Sequence, residues 1–237
     1  SYGEDIGYDD GLVGLLTSLN NTVANSGGGW IRLMYAYPSN FTDEMIDALA
    51  SLPHVVNYID IPLQHASDSM LTSMRRNVSA KTQLELLEKL RNRIEGVAIR
   101  TTMITGFPGE TVDDHQSLLE FIASQKFDAL GVFQYSPEDG TVAGTMEGDQ
   151  ALRVSDSAKQ QREEELMLLQ QSIAFETAKN RAERACVFEV LLDAYLGVTG
   201  NGELHLYQGR TYHQAPDVDA STIVMSEKEL IVGELIR

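Results

Sequence analysis

The chain contains the stretch Arg100-Thr-Thr-Met-Ile-Thr-Gly-Phe-Pro-Gly-Glu-Thr111, in which a β-branched segment runs into a glycine-rich turn and then into a helix. Apolar and polar residues alternate over residues 97–104, as they do in a strand. Gly106 and Gly109 allow backbone conformations that are closed to bulkier residues. Thr111 stands at the first position of a pattern that resembles the capping box of a helix N-terminus. The stretch predicts a strand-to-helix loop with exposed backbone donors.

A Gly-x-x-Gly-Glu turn between a strand and a helix can also be only a tight connection. The turn at Gly106 is not a Walker loop, because no Lys-Ser/Thr pair follows its second glycine, and it is not a Gly-x-Gly-x-x-Gly motif. These differences disfavour a site for nucleotide phosphates at this loop.

Strands and helices alternate on both sides of this loop. The predicted strands cover residues 30–36, 58–63, 97–104 and 129–135. The predicted helices cover residues 43–52, 68–76, 81–94 and 112–125. Thr42, Ser67 and Thr111 occupy the positions expected of helix N-caps. This alternation predicts an α/β fold with a parallel sheet or a partial (β/α) barrel over residues 1–152.

The remainder of the chain predicts a linker and a second domain. Residues 153–185 predict one long linker helix with an apolar stripe and a solvated, charged face. The predicted stripe consists of Leu166, Leu169, Ile173 and Ala174. Residues 186–237 carry short β-type runs between Gly and Asn turns, which predict a small all-β domain in which Cys186 has a packing role.

Polar and aromatic residues follow the predicted strands, where ligands bind in parallel α/β folds. Gln64 and His65 follow the second strand, and Tyr135 ends the fourth. The alternatives for these residues are ordinary loop capping and a binding site. His65 is more typical of a hydrogen-bonded positioning residue than of an acid–base catalyst.

The alternation of the third strand places Ile99 and Met103 towards the helices and Arg100 towards the interior. An inward arginine needs an anionic partner. An Arg32–Asp60–Arg100 charge network and a contact with a ligand carboxylate both remain open, and the two are compatible.

Composition restricts the partners of the chain. The net charge of −17 disfavours direct nucleic-acid binding, which depends on Lys and Arg, and favours a basic protein partner. No apolar run approaches the length of a membrane span, so we expect no membrane partner and a cytoplasmic location. The single cysteine excludes an internal disulfide and cannot by itself hold zinc or an iron–sulfur cluster.

Several segments together resemble the radical S-adenosylmethionine (SAM) methylthiotransferases over nearly the whole chain. They are residues 30–38, 60–65, 74–76, 100–111 and 133–141. Within that family, Pro62-Leu-Gln-His65 and Gly209-Arg-Thr-Tyr-His-Gln-Ala-Pro-Asp-Val-Asp219 are similar to the branch that modifies an aspartate of a small-subunit ribosomal protein. The tRNA-modifying relatives usually have Gln-Ser-Gly where this chain has Gln64-His65-Ala66.

The resemblance implies a partial radical SAM barrel followed by a TRAM domain, and SAM as cofactor. The cofactor-binding residues that it implies are Gln64, His65, Arg100, Ile104, Gly106, Gly109, Glu110 and Tyr135. The substrate-binding residues that it implies are Arg210, Asp217 and Asp219. In the family, a 4Fe–4S cluster held by Cys-x-x-x-Cys-x-x-Cys reduces SAM to a 5′-deoxyadenosyl radical, and a second 4Fe–4S cluster takes part in sulfur insertion.

The chain departs from the family pattern because it lacks the three-cysteine motif. We expect it to be part of a longer parent enzyme, beginning just after the cluster loop, because Tyr2-Gly-Glu-Asp resembles the family segment found there. No catalytic residue and no metal ligand is therefore assigned to this chain. The alternatives are a tRNA methylthiotransferase, a non-catalytic acidic binding module on a degenerate barrel, and a metal-independent barrel enzyme that uses His65 and Glu110.

Overall fold

A computed structural model describes residues 6–7, 10–200 and 202–237 of the chain. The chain divides into two compact units, Ser1–Thr177 and Ala178–Arg237. The predicted domain limits at residues 152 and 185 stay predictions. The Tyr2-Gly-Glu-Asp segment, which resembles a family segment, lies outside the described residues.

The first unit is an α/β structure with a parallel sheet. Its strands are β1 (Ile31–Leu33), β2 (Val55–Gln64), β3 (Ala98–Thr105) and β4 (Ala129–Gln134). Its helices are α1 (Gly11–Asn25), α2 (Asp43–Ser51), α3 (Asp68–Ser73), α4 (Ala80–Arg93), α5 (Val112–Gln125), α6 (Val142–Glu147) and most of α7 (Asp156–Glu183). The four strands pair in parallel in the order β1-β2-β3-β4. The predicted α/β fold with a parallel sheet is confirmed.

The core lies between one face of this sheet and the helices. In β3, Ile99 and Met103 are buried in the main apolar cluster, whereas Arg100 and Thr102 are only half-buried. The alternation predicted for this strand is therefore confirmed. The helices contribute buried side chains to the same cluster, among them Ile46, Leu49, Leu87, Leu90, Leu118, Ile122 and Leu166. Burial of this apolar surface is the main force that fixes the sheet against its helices.

Two of the three predicted helix caps are formed by side chains. The Thr42 hydroxyl accepts from the Met45 N–H at 3.3 Å, and Thr111 forms a reciprocal capping box with Asp114. Ser67 precedes α3 as predicted, but its hydroxyl makes no cap and donates instead to the Asp114 carboxylate. The predicted N-cap position of Ser67 is confirmed, but its side chain bonds a charged acceptor, which is a stronger hydrogen-bond partner than a backbone group.

Several elements differ from the predicted pattern, and strand β1 covers only Ile31–Leu33 of the predicted residues 30–36. Strand β2 begins at Val55, three residues before the predicted start, because Val55 and Val56 are buried. Helix α6 was not predicted, since it is short and none of its residues is buried, so it has no apolar stripe. The Thr141 hydroxyl caps its first turn by accepting from the Gly144 N–H at 2.9 Å.

Helix α7 corrects the interpretation of its charge run. Leu166 and Ile173 are buried as predicted, but Ala174 is exposed. Lys159 is buried with 3% of its surface exposed, and only 13% of the Arg162 side chain is exposed, so these two residues do not belong to a solvated face. A lysine can bury its apolar stem while its ammonium reaches a partner, and charge alone does not reveal this.

The second unit contains an antiparallel sheet, as the β-type runs predicted. Its strands are β5 (Val190–Val198), β6 (His205–Arg210), β7 (Thr222–Ser226) and β8 (Leu235–Ile236), in the order β7-β6-β5-β8. Cys186 is exposed, so the predicted packing role is wrong. It follows Ala185, whose positive φ of 48° places it in the turn after α7.

Candidate functional site

A cavity of about 550 Å³ lies at the carboxyl ends of β2, β3 and β4. Gln64, Ile104 and Tyr135 line it from these strand ends, and Phe107 of the glycine loop adds an aromatic wall. The other lining residues come from the end of α3 and the start of α6, and they are Ser73, Met74, Arg75, Arg76, Gly140, Thr141, Val142 and Ala143. The volume lies within the range of small-molecule sites. Three of the predicted cofactor-binding residues therefore meet at one cavity.

Two polar side-chain atoms of the cavity residues are buried and lack a hydrogen-bond partner among the described residues. They are the Gln64 carbonyl Oε1 and the Tyr135 hydroxyl. Burial, with Glu147 and Glu138 nearby, raises the pKa of Tyr135, so its phenol is protonated at neutral pH and able to donate. Buried polar groups in native proteins are nearly always paired, so these two are suited to ligand groups.

Both glycines of the loop have a left-handed backbone conformation, and Gly106 is also restricted by packing. Gly106 has a φ of 73°, and a Cβ at this position would overlap the stem of Lys159 from α7. Gly109 has a φ of 88°, and its N–H donates to the Leu152 carbonyl at 2.7 Å. A residue with a side chain at position 106 would meet both left-handed backbone strain and a steric clash.

The Glu110 carboxylate is turned into the protein, and none of its side chain is exposed. It accepts a hydrogen bond from the Gly106 N–H and pairs with Arg162 Nη1 at 3.1 Å. Burial alone would raise the pKa of Glu110, but nearby His65 and the Arg162 charge outweigh it and lower the pKa below its usual range. Glu110 therefore anchors the glycine loop, and it is not among the residues that line the cavity.

Two histidines flank this carboxylate. His65 is fully buried, its Nδ1 accepts from the Ser67 N–H at 3.0 Å, and its Nε2 lies 3.6 Å from Glu110. His115 is also buried, and its Nε2 lies 2.8 Å from a Glu165 carboxylate oxygen of α7. His65 thus has the geometry of a positioning residue, held between two strand-end loops.

Asp114 joins the loops that follow β2 and β3. Its carboxylate accepts hydrogen bonds from Ser67 and Ser69 and from both the N–H and the hydroxyl of Thr111. Burial opposes ionisation, but these donors outweigh it and hold the pKa of Asp114 well below its usual range. The two loops that border the cavity are fixed to each other through this one side chain.

Arg100 lies on the opposite face of β3 from the core. Its Nη1 pairs with Asp60 Oδ1 at 3.1 Å, across the register that places these two residues side by side. Arg32 stacks over the Tyr58 ring at 4.1 Å. The predicted charge network is therefore confirmed for the Arg100–Asp60 pair.

The sequence did not reveal the contribution of α7 to this site. Lys159 donates to the Tyr135 carbonyl at 3.3 Å and pairs with Glu147 at 3.1 Å, and Arg162 also donates to the Glu110 carbonyl at 3.2 Å. The spacing of Lys159 and Arg162 puts them on one helical face, and that was the available signal. Their acidic partners are distant in sequence, so the pairing itself could not be read from the helix.

The predicted substrate-binding residues lie in the second unit. Arg210 pairs with Asp193 at 2.6 Å, and Asp219 accepts from the Ala215 N–H at 2.8 Å. Asp217 is exposed, with a φ of 62°. Their role in substrate binding stays a prediction.

The described residues include no group of three or more His, Cys, Asp or Glu side chains that could hold a metal ion. The sequence as a whole has one cysteine. None of the described helices is long and apolar enough to cross a membrane.

Comparison with known proteins assigns the chain to a family. Residues 1–122 match the radical SAM superfamily. The chain belongs to this superfamily. A solved structure of a radical SAM enzyme, coproporphyrinogen III oxidase (HemN) from Escherichia coli, is similar with a TM-score of 0.51. The similarity covers 92% of this chain and 56% of HemN at 16% identity, so it shows the fold alone.

The radical SAM chain is also similar to curated methylthiotransferases. The ribosomal protein uS12 methylthiotransferase RimO of Lachnoclostridium phytofermentans is 40% identical over 235 residues, which cover 99% of this chain and 50% of that protein. RimO of Trichlorobacter lovleyi is 42% identical over 225 residues, which cover 95% of this chain and 47% of that protein. The chain thus spans about half the length of the curated relatives that it matches.

Proposed function

We propose that this chain is the part of a RimO-type methylthiotransferase that binds SAM and the protein substrate. The parent enzyme would insert a methylthio group on an aspartate side chain of ribosomal protein uS12. The observation that carries the proposal is the cavity at the carboxyl ends of β2, β3 and β4, in a chain that is 40% identical to RimO over 99% of its length. A ribosomal substrate also implies a cytoplasmic location.

The residues of the cavity fit SAM. Ile104 and Phe107 offer apolar and aromatic surface to an adenine, and the Gln64 and Tyr135 side chains have unused hydrogen-bonding capacity. SAM bound at this cavity would supply the hydrogen-abstraction chemistry of the parent enzyme. The role of this chain would be to bind and orient SAM. Glu110 and Lys159 hold the glycine loop, and Asp114 fixes the neighbouring loop.

The residues of this chain do not fit an iron–sulfur cluster. Such a cluster requires several thiolates, and the only cysteine, Cys186, is exposed. We therefore assign both 4Fe–4S clusters to the parent enzyme.

The second unit is proposed to be a TRAM domain that binds the protein substrate. Residues 186–237 hold eight acidic and three basic residues, which suits a basic ribosomal protein better than tRNA. Arg210, Asp217 and Asp219 are proposed to contribute to this contact. Asp217 is the most accessible of the three, whereas Arg210 and Asp219 already have partners within the unit.

The test uses the full-length parent enzyme, reconstituted anaerobically with iron and sulfide. We expect iron sufficient for two clusters, reductant-dependent release of 5′-deoxyadenosine from SAM, and a methylthio mass increase on uS12. SAM cleavage with modification of tRNA and not of uS12 would redirect the function to the tRNA branch. Absence of both iron and SAM cleavage would refute the enzyme assignment.

A further inference from the structure

Two neighbouring arginines at the end of α3 contribute to the lining of the cavity. Arg75 and Arg76 follow directly after the C-cap residue Met74, and both line the cavity with Gln64 and Tyr135. Arg75 is exposed, whereas Arg76 is half-buried with its guanidinium 5.3 Å from the centre of the Tyr37 ring. Tyr37 follows β1, so the ring supports Arg76 at the same edge of the sheet.

Carboxylates outnumber basic side chains in this protein, and several of its arginines form ion pairs. The sequence has 35 acidic and 18 basic residues. Carboxylate partners are seen for Arg93, Arg100, Arg153, Arg162 and Arg210. Neither Arg75 nor Arg76 has a carboxylate within ion-pair distance in the described part of the chain. Two adjacent guanidinium groups with no protein anion are therefore presented at a cavity.

The backbone places Arg75 where a glycine is normally found. Arg75 N donates to the Thr72 carbonyl and Arg76 N to the Leu71 carbonyl, which is the Schellman pattern at the end of a helix. Arg75 occupies the left-handed position of this pattern, with a φ of 56°. An arginine there is strained where glycine is not. A sequence that departs from a local rule in this way is expected at functional positions.

We propose that Arg75 and Arg76 form a carboxylate-binding site at the cavity. A guanidinium donates two parallel hydrogen bonds to a carboxylate, and the neighbouring Tyr135 hydroxyl and Gln64 carbonyl can pair with the polar groups beside it. The proposal rests on the proposed function, which brings two carboxylates to this cavity. One is the methionine carboxylate of SAM, and the other is the acidic side chain of the protein substrate.

The test measures binding without turnover by calorimetry, on the anaerobic full-length enzyme without reductant. One arm compares SAM with decarboxylated SAM. The other arm compares a uS12 peptide that carries the target aspartate with the same peptide carrying asparagine. The variants are Arg75→Gly and Arg76→Gln, and the matched control is Arg184→Gln, an exposed arginine of the second unit. Arg75→Gly removes the guanidinium at a position where glycine is favoured, so the thermal midpoint should not fall.

In one of the two comparisons, we expect the wild-type enzyme to bind the ligand that carries the carboxylate more tightly than the ligand that lacks it. Both variants should reduce this ratio of affinities by about tenfold or more. The arm in which the preference falls identifies the source of the carboxylate, and Arg184→Gln should leave both arms unchanged. If both variants keep the wild-type affinity ratios in both comparisons, the carboxylate-binding assignment is wrong and the proposed function stands. A wild-type enzyme that binds neither SAM nor peptide would overturn the proposed function, and the assignment with it.

Discussion

The buried pair of Glu110 and Arg162 provides the sharpest test of how α7 holds the glycine loop. The carboxylate has no exposed surface and the guanidinium side chain is 13% exposed, with 3.1 Å between Nη1 and Oε2. Removing one partner of such a pair leaves a buried charge uncompensated, which costs about 3–5 kcal/mol. We expect Glu110→Gln to cost about 3 kcal/mol of unfolding free energy, because glutamine keeps an acceptor for the Gly106 N–H.

The assay is urea unfolding of the chain, followed through the transition of the first unit. Arg162→Met should cost a similar amount, since it strands the Glu110 carboxylate. The double variant Glu110→Gln/Arg162→Met should then be more stable than the sum of the single losses predicts, by about 1–3 kcal/mol. Additive losses would refute the reasoning, because they would mean that the two side chains stabilise the loop independently.

Three further predictions concern the loops and the second unit. Gly106→Ala should lower the free energy of unfolding by about 2–4 kcal/mol, because of left-handed strain and overlap with Lys159. The control Gly140→Ala, at a φ of 79° with open space around its Cβ, should lower it by only about 1–2 kcal/mol in the same urea assay. Because the pKa of Asp114 is lowered in the folded protein, its ionised carboxylate stabilises the protein above about pH 4, and this effect is lost as the pH falls through the folded pKa. Asp114→Asn should therefore flatten the acid side of a plot of thermal midpoint against pH. An unchanged plot would contradict the ionised role of Asp114. Asp217→Asn should weaken uS12 binding at low salt and less so at high salt, and equal affinity to wild type at low salt would contradict electrostatic recruitment by this unit.

The sequence was sufficient for the order of the strands in the first unit and of all its predicted helices. The alternation of β3 and the capping box at Thr111 depend on neighbours within a few residues, and both are confirmed. Helix α6 could not be found in this way, because it buries none of its residues and has no periodic stripe.

The candidate site was predicted only in part. The residues that follow the strands were identified, because parallel strands bring their carboxyl ends to one edge. Gln64, Ile104 and Tyr135 do line one cavity, but no sequence pattern distinguishes them from Glu110, whose carboxylate is buried beneath the loop.

What the sequence determined by itself was local: the strand-to-helix loop, the alternation of apolar residues, and a resemblance that its motifs carried. What only the tertiary structure decided were the contacts between distant segments. Lys159 and Arg162 look like part of a solvated run until the helix packs on the sheet, where one fills the space above Gly106 and the other neutralises Glu110. A charge becomes part of a site through the low-dielectric surroundings and the partner that folding brings to it, and neither is encoded in its immediate neighbours.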